Sequence, residues 1–333
     1  MNSSVKMMPK IKYDFVPFLK TLAVLLVINS HLDAYYPLSA MATGGALGNA
    51  LFFILSGFCL SKPQGTFYVW YKYRFLKVYP QTVLISAVMY LVYSLGANDL
   101  QSAVLFMVWP TAFWFIGAIV LFYIPYYFIF KNKEQLRKKF FAITIGVVIL
   151  YFSGYLFLDT SVWIVESADI IKMHSYFRFI YYFYIFIMGG YVRNNIERLA
   201  YRPVINFVLT IGSVILLYGS KFLMDAGVLS YHMQFSNQLF VLIFAVCFLC
   251  MCLCLEMRRK TEMLTIPKGI DFLAKRSLYY YLAHMSLLRL EKLSSMRFPY
   301  NVLVFMIITI VLAEILYKVV GILQKRHLVK EGD

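Results

Sequence analysis

Apolar stretches long enough to cross a bilayer, about 17 to 25 residues each, recur along this chain. They fall at residues 15–31, 45–61, 79–96, 103–130, 141–158, 177–192, 204–222, 238–256, 277–291 and 299–320. The pattern predicts an all-α fold, a polytopic integral membrane bundle of about ten transmembrane helices. The fourth stretch is long, with Pro110 and Pro125 towards its ends, and the ninth is short and polar; either also reads as a re-entrant or tilted segment. One polar residue stands out inside the pattern. Residues 15 to 30 are broken by a single cation, Lys20, and His31 follows eleven residues after it. Eleven residues is close to three helical turns, so both side chains project from one face, about 16 Å apart in depth. A charge near the bilayer centre costs at least about 2.5 kcal/mol, and such groups normally face a protein interior or a wet cavity and mark a functional site. The plainer alternative is a snorkelling Lys20 and a His31 that only caps a helix end at the interface.

Composition agrees, with 61% hydrophobic and 18% aromatic residues. A net charge of +16 would point to nucleic acid in a soluble protein, but here the cations follow the positive-inside rule. They gather before residue 14, in 62–77 (Lys62, Lys72, Arg74, Lys77), in 131–139, and in the loops around Arg198, Lys260 and Lys325, which together hold 25 of the 32 Lys and Arg residues. The intervening loops carry few cations beside Asp33, Asp99, Asp159, Glu166, Asp169 and Asp225. Both termini are therefore expected in the cytoplasm, residues 159–176 outside, and His31 near the outer face, in a multi-pass protein of the inner (plasma) membrane that partners the lipid bilayer and no nucleic acid. Lys20 interrupts the first apolar run and no small-residue cleavage site follows, so the segment is expected to stay as an anchor. No internal repeat, low-complexity tract or soluble appendage longer than a loop is visible, which predicts one membrane domain over residues 1–333. Of five cysteines, Cys247, Cys250, Cys252 and Cys254 crowd one apolar stretch and Cys59 ends another; they suit packing better than a metal site, which needs convergent ligands.

Several motifs share a likeness. The run from Ile11 through Lys20 to His31 resembles the first helix of the acyltransferase-3 family of membrane O-acyltransferases, with Lys20 where the family usually has Arg, which keeps the cation but loses its planar donor fork. Gly48-Asn49-Ala50-Leu51-Phe52-Phe53-Ile54-Leu55-Ser56-Gly57-Phe58 resembles the family's Phe-Phe-x-x-Ser-Gly-Phe element. Physically, Gly44 and Gly48 are spaced for close helix contact and Gly57 lets a neighbouring backbone approach Ser56; a packing seam explains these residues without chemistry. Tyr71-Lys72-Tyr73-Arg74-Phe75-Leu76-Lys77-Val78-Tyr79-Pro80 resembles the Arg-x-x-Arg-x-x-Pro element, read as a loop in which Arg74 and Lys77 share a face and Pro80 sets the entry to the third helix. Phe113-Trp114-Phe115 through Phe122-Tyr123 resembles the family's Trp-centred element, with Ile119 and Val120 where many members carry a Glu pair. Ser277 through Tyr281-Leu282-Ala283-His284 resembles the penultimate Tyr-Leu-x-His segment; alone, His284 reads more readily as a hydrogen-bonded core residue, since an unpaired buried imidazole is costly.

The resemblance implies an acyltransferase, an O-acetyltransferase moving acetyl from acetyl-CoA to a hydroxyl of a carbohydrate or lipid-linked glycan. His31 would be the general base, a positioned group worth roughly a hundred- to ten-thousand-fold, with a covalent acyl-histidine left open. Lys20 would stabilise charge along the path; Arg74, Lys77 and Lys72 would hold donor phosphates. Trp114, Asp33, Ser56 and His284 are candidate contacts for the acceptor, no metal is expected, and acyl-CoA enters as a substrate, not as a bound cofactor. Ten spans with intramembrane charges and an aromatic-lined cavity equally suit a transporter of a glycan or small molecule.

Overall fold

A computed structural model describes residues 13–93, 104, 106–107, 113–132, 135–158, 173–199, 202–258, 267–288 and 290–330. Among them there is no strand. The main helices are α1 (Phe15–Asn29), α2 (Gly45–Leu60), α3 (Phe67–Tyr93), α4 (Trp114–Lys131), α5 (Leu136–Phe157), α6 (Met173–Asn194), α7 (Pro203–Asp225), α8 (Gln234–Arg258), α9 (Lys268–Lys275), α10 (Ser277–Leu287) and α11 (Tyr300–Lys330). Seven, namely α2 to α5, α7, α8 and α11, are long and apolar enough to cross a membrane. Of the other expected spans, α1 has 15 residues and α10 has 11. Helix α6, at 22 residues, is rich in tyrosine and carries Arg178 and Arg193.

Two expectations are corrected. The basic stretch 71–80 is not a loop: α3 starts at Phe67 and contains it, with Pro80 inside the helix. The aromatics between the cations cause this. Phe67, Trp70 and Tyr71 fall at helical spacing, and Trp70 packs on Tyr123 and Tyr127 of α4 while Phe67 packs on Tyr127 and Phe128. Pro80 removes one backbone donor; directly after it the Gln81 amide bonds the Lys77 carbonyl and the Thr82 hydroxyl bonds that of Val78 at 3.0 Å. The fourth stretch was expected from residue 103, whereas continuous α4 starts at Trp114; Val104, Phe106 and Met107 are helical, and Pro110 lies outside the described residues.

Close backbone approaches build the centre. A Cβ on Gly48 would meet the Ala23 carbonyl and Val27 of α1, one on Gly57 would overlap the Phe186 carbonyl of α6, and one on Gly189 would overlap that of Ile54. Helices α1, α2 and α6 thus cross backbone to backbone, the small-residue packing that replaces the hydrophobic drive inside a bilayer. Gly44 serves differently: it precedes α2 with φ of 99° against Leu26, a left-handed turn natural to glycine.

Candidate active site

Contacts fix helix directions and so sort the polar residues to two ends. At one end Phe15 N–H opens α1 by donating to Glu256 of α8 at 3.0 Å, and Arg193 of α6 lies over Tyr13 and Phe58 at 4.1 and 5.0 Å. The Lys131 ammonium closes α4 onto the Gly65 carbonyl at 2.8 Å. At the other end, α1 finishes beside the start of α2.

His31 sits just past α1, where the chain turns. Its N–H donates to Ile28 at 3.0 Å and Leu32 N–H to Asn29 at 3.1 Å. Asn29 pins the following loop, donating to the carbonyls of Met41 and Thr43 at 2.8 and 2.9 Å and accepting from Tyr36 Oη at 2.6 Å. Nδ1 of His31 lies 2.8 Å from the Val27 carbonyl. A carbonyl only accepts, so Nδ1 carries the proton and Nε2 presents its lone pair. The residue as a whole is exposed, while its Nδ1 bond is partly buried. Beside it, with ring centroids 5.3 Å apart, stands His284 of α10, fully buried and tied in the same way, Nδ1 to the Tyr280 carbonyl at 3.1 Å. Two histidines 253 positions apart in sequence therefore meet with both Nε2 atoms in acceptor form.

An aromatic wall leads away from this pair. Tyr281 is 5.5 Å from the His284 ring and 5.6 Å from Phe115; Phe115 packs on Phe53, and Phe53 on Trp114. Trp114 is half-buried, with the Arg178 guanidinium 4.5 Å from its ring centre and Tyr182 at 5.4 Å.

The remaining candidates are spread out. Lys20 is half-buried midway along α1, with no ion-pair partner among the described residues. Asp33 is exposed in a single turn two residues past His31. Ser56 is half-buried on α2, eleven residues from Gly45 and so about 16 Å from the histidine end; it does not join them. Towards the opposite end, Arg74 is half-buried over Trp70 and Tyr73 at 5.9 and 5.4 Å. Its Nε is buried and has no acceptor among the described residues. Lys77 is exposed, 6.0 Å from the Tyr73 ring, and Lys72 is exposed. Four of the cysteines are buried and Cys59 is exposed, and no cluster of three metal-ligating side chains occurs among the described residues.

The acyltransferase-3 sequence profile, described as an acyltransferase domain, matches residues 13–318. The chain belongs to the acyltransferase-3 family. It is a membrane acyltransferase, and the match covers every helix from α1 to the core of α11. No curated protein and no solved structure matches it. Sequence reading counted Arg193 only as a topology cation and passed over Arg178, which opens the apolar run 177–192; both lie in α6. The criterion that picked out Lys20, a lone cation inside an apolar run, would have found Arg178.

Proposed function

We propose that this acyltransferase moves an acetyl group from acetyl-CoA to a hydroxyl of a carbohydrate or lipid-linked glycan, modifying cell-surface polysaccharide from the inner (plasma) membrane, with residues 1–333 acting as one domain. The observation that carries the reading is His31: an imidazole whose Nδ1 is held by Val27, on a residue exposed as a whole, leaving Nε2 ready to take a hydroxyl proton. Base catalysis by a group so positioned contributes roughly a hundred- to ten-thousand-fold. At the other end of the bundle, Arg74, with Lys77 and Lys72, binds donor phosphates; a guanidinium with a buried, unaccepted N–H suits an anion. Lys20, half-buried between the ends, offsets charge along the route. The acceptor meets Asp33 and the Trp114–Arg178 pair, since the Trp114 ring is already packed against the guanidinium. His284 and Ser56 stand behind these as the remaining candidate contacts.

The test is mass spectrometry of surface glycans from the source strain with and without the intact gene. Loss of a base-labile acetyl mass on deletion is expected. An unchanged glycan acylation pattern would put the transporter alternative first.

A further inference from the structure

One helix, α3, gathers polar side chains that its own fold leaves unused. Arg74 Nε, Gln81 Oε1 and Ser86 Oγ are buried, and none has a hydrogen-bond partner among the described residues. Gln81 and Ser86 are 4% and 0% exposed and share the inward side of α3 with Trp70, Ile85 and Met89. The outward side is hydrocarbon, with Leu84, Val88, Leu91 and Val92 exposed. Thr82 shows the contrast, since the Val78 carbonyl satisfies its hydroxyl at 3.0 Å; Gln81 uses its amide N–H on the Lys77 carbonyl and keeps only Oε1. A buried polar atom without a partner destabilises the fold, and inside a membrane such groups mark a path or a site. Arg74 and Gln81, seven residues apart, lie on one face two turns apart, and Ser86 is twelve residues beyond Arg74, about 18 Å along the axis. The helix starts close to Gly65, the carbonyl that Lys131 bonds at the basic end, and it packs on α4 and on α10, whose His284 stands beside His31.

We propose that this face of α3 is the track for the pantetheine arm of the acyl donor: Gln81 Oε1 accepts the N–H of the amide nearer the phosphates, and the Ser86 hydroxyl bonds the amide nearer the sulfur. The proposal rests on the reading of Arg74 as a donor-phosphate residue. That reading leaves phosphates and base at opposite ends of the bundle, so the donor itself must bridge them. The lengths agree. The arm runs about thirteen bonds from the diphosphate to the sulfur, about 15 Å when extended at about 1.2 Å per bond, and the long Arg74 side chain covers the remaining difference from the Arg74–Ser86 spacing. The chemistry agrees as well. The arm is largely hydrocarbon, and each of its two amides loses water on entering the bundle, where an amide without a partner is costly to bury. Gln81 and Ser86 supply those partners in the order in which the amides occur. Only 28% of the α3 span is buried inside the protein, so the helix makes way for the arm by moving outward into lipid.

The test is calorimetric titration of the purified protein in detergent with two probes. One is acetyl-CoA; the other is adenosine 3′-phosphate 5′-diphosphate, which keeps every phosphate of coenzyme A and lacks the arm. Gln81→Leu and Ser86→Ala are each expected to weaken acetyl-CoA about three- to ten-fold, the contribution of one hydrogen bond, and to leave the armless probe within about two-fold. Arg74→Ala is expected to weaken both probes. Retained binding of the armless probe also shows that a variant is folded. An acetyl-CoA analogue with a trans-alkene in place of the amide nearer the sulfur should repeat the Ser86→Ala loss on the wild-type protein and add nothing to it on Ser86→Ala. Unchanged acetyl-CoA affinity in both α3 variants, or equal losses for the two probes, overturns the track. So does full affinity of the wild type for the alkene analogue, a result that depends on no variant folding. The two ideas fail differently: if neither probe binds the wild type, or Arg74→Ala binds both as the wild type does, the donor reading falls and the track with it. A weakened Arg74→Ala beside unaffected Gln81→Leu and Ser86→Ala sinks only the track.

Discussion

A histidine at the end of a membrane helix is either an interfacial cap or a reactive group, and for His31 the surroundings decide. The residue is exposed as a whole, it lies beyond the end of α1, and its tautomer is set by one carbonyl. His31→Ala is therefore expected to abolish acyl transfer while the protein accumulates normally, read by glycan acylation against membrane abundance. His284→Ala should do the opposite to abundance, because a fully buried ring is replaced by a cavity, at a cost of a few kcal/mol. At the other end, charge-assisted phosphate contacts contribute roughly 1.5 to 3 kcal/mol, so Arg74→Ala is expected to raise the donor KM by about ten-fold or more. Arg74→Lys recovers part of it, a point charge replacing a bidentate fork, and Lys77→Ala has the smaller effect because Lys77 is exposed where Arg74 is half-buried. Calorimetric titration of the purified variants with acetyl-CoA checks this; equal affinities would return the cluster to a topology signal. Each of these residues was legible in the sequence as a type. Their grouping was not: nothing local in the chain ties His31 to His284, or Arg178 to Trp114.

At the scale of elements, the glycine crossings hold the bundle together and set where α6 carries Arg178 and Tyr182 relative to α2. Gly57→Ala or Gly189→Ala places a methyl on a facing backbone carbonyl that has no side chain to rotate away. Such overpacking costs typically about 1–3 kcal/mol, so both variants should melt earlier in detergent by fluorescence-monitored unfolding. Gly212→Ala and Gly219→Ala on α7 open onto empty space and serve as controls, expected neutral or slightly stabilising through helix propensity. Unchanged melting of Gly57→Ala would remove the backbone crossing as a structural element. The extent of α3 shows why boundaries were the weak point of the sequence reading. Charges at Lys72, Arg74 and Lys77 lower hydropathy enough to suggest a loop, but interleaved aromatics at helical spacing dock on α4 and carry the helix through them.

For the whole molecule, α1 begins and α11 ends at the same end of the bundle, since the Asn301 amide at the start of α11 donates to the Tyr35 carbonyl just past the end of α1 at 2.7 Å. With the cation bias, this leads to the prediction that both termini are cytoplasmic and residues 159–176 external; that segment lies mostly outside the described residues. A periplasm-active reporter working at residue 333 would overturn it and detach the basic end from cytoplasmic donor. Class and family were already determined by the sequence, because repeated apolar runs admit no soluble fold and because the motif around Ser56-Gly57 is local and specific. So was the short list of polar residues inside those runs, since burying any of them in a bilayer demands a reason. What only the tertiary structure decided is which of them meet. Hydropathy reports depth along a helix and says nothing of which neighbour it faces, and the facing of α10 toward the end of α1, which puts one imidazole 5.3 Å from the other, is set by side-chain packing between segments at opposite ends of the chain.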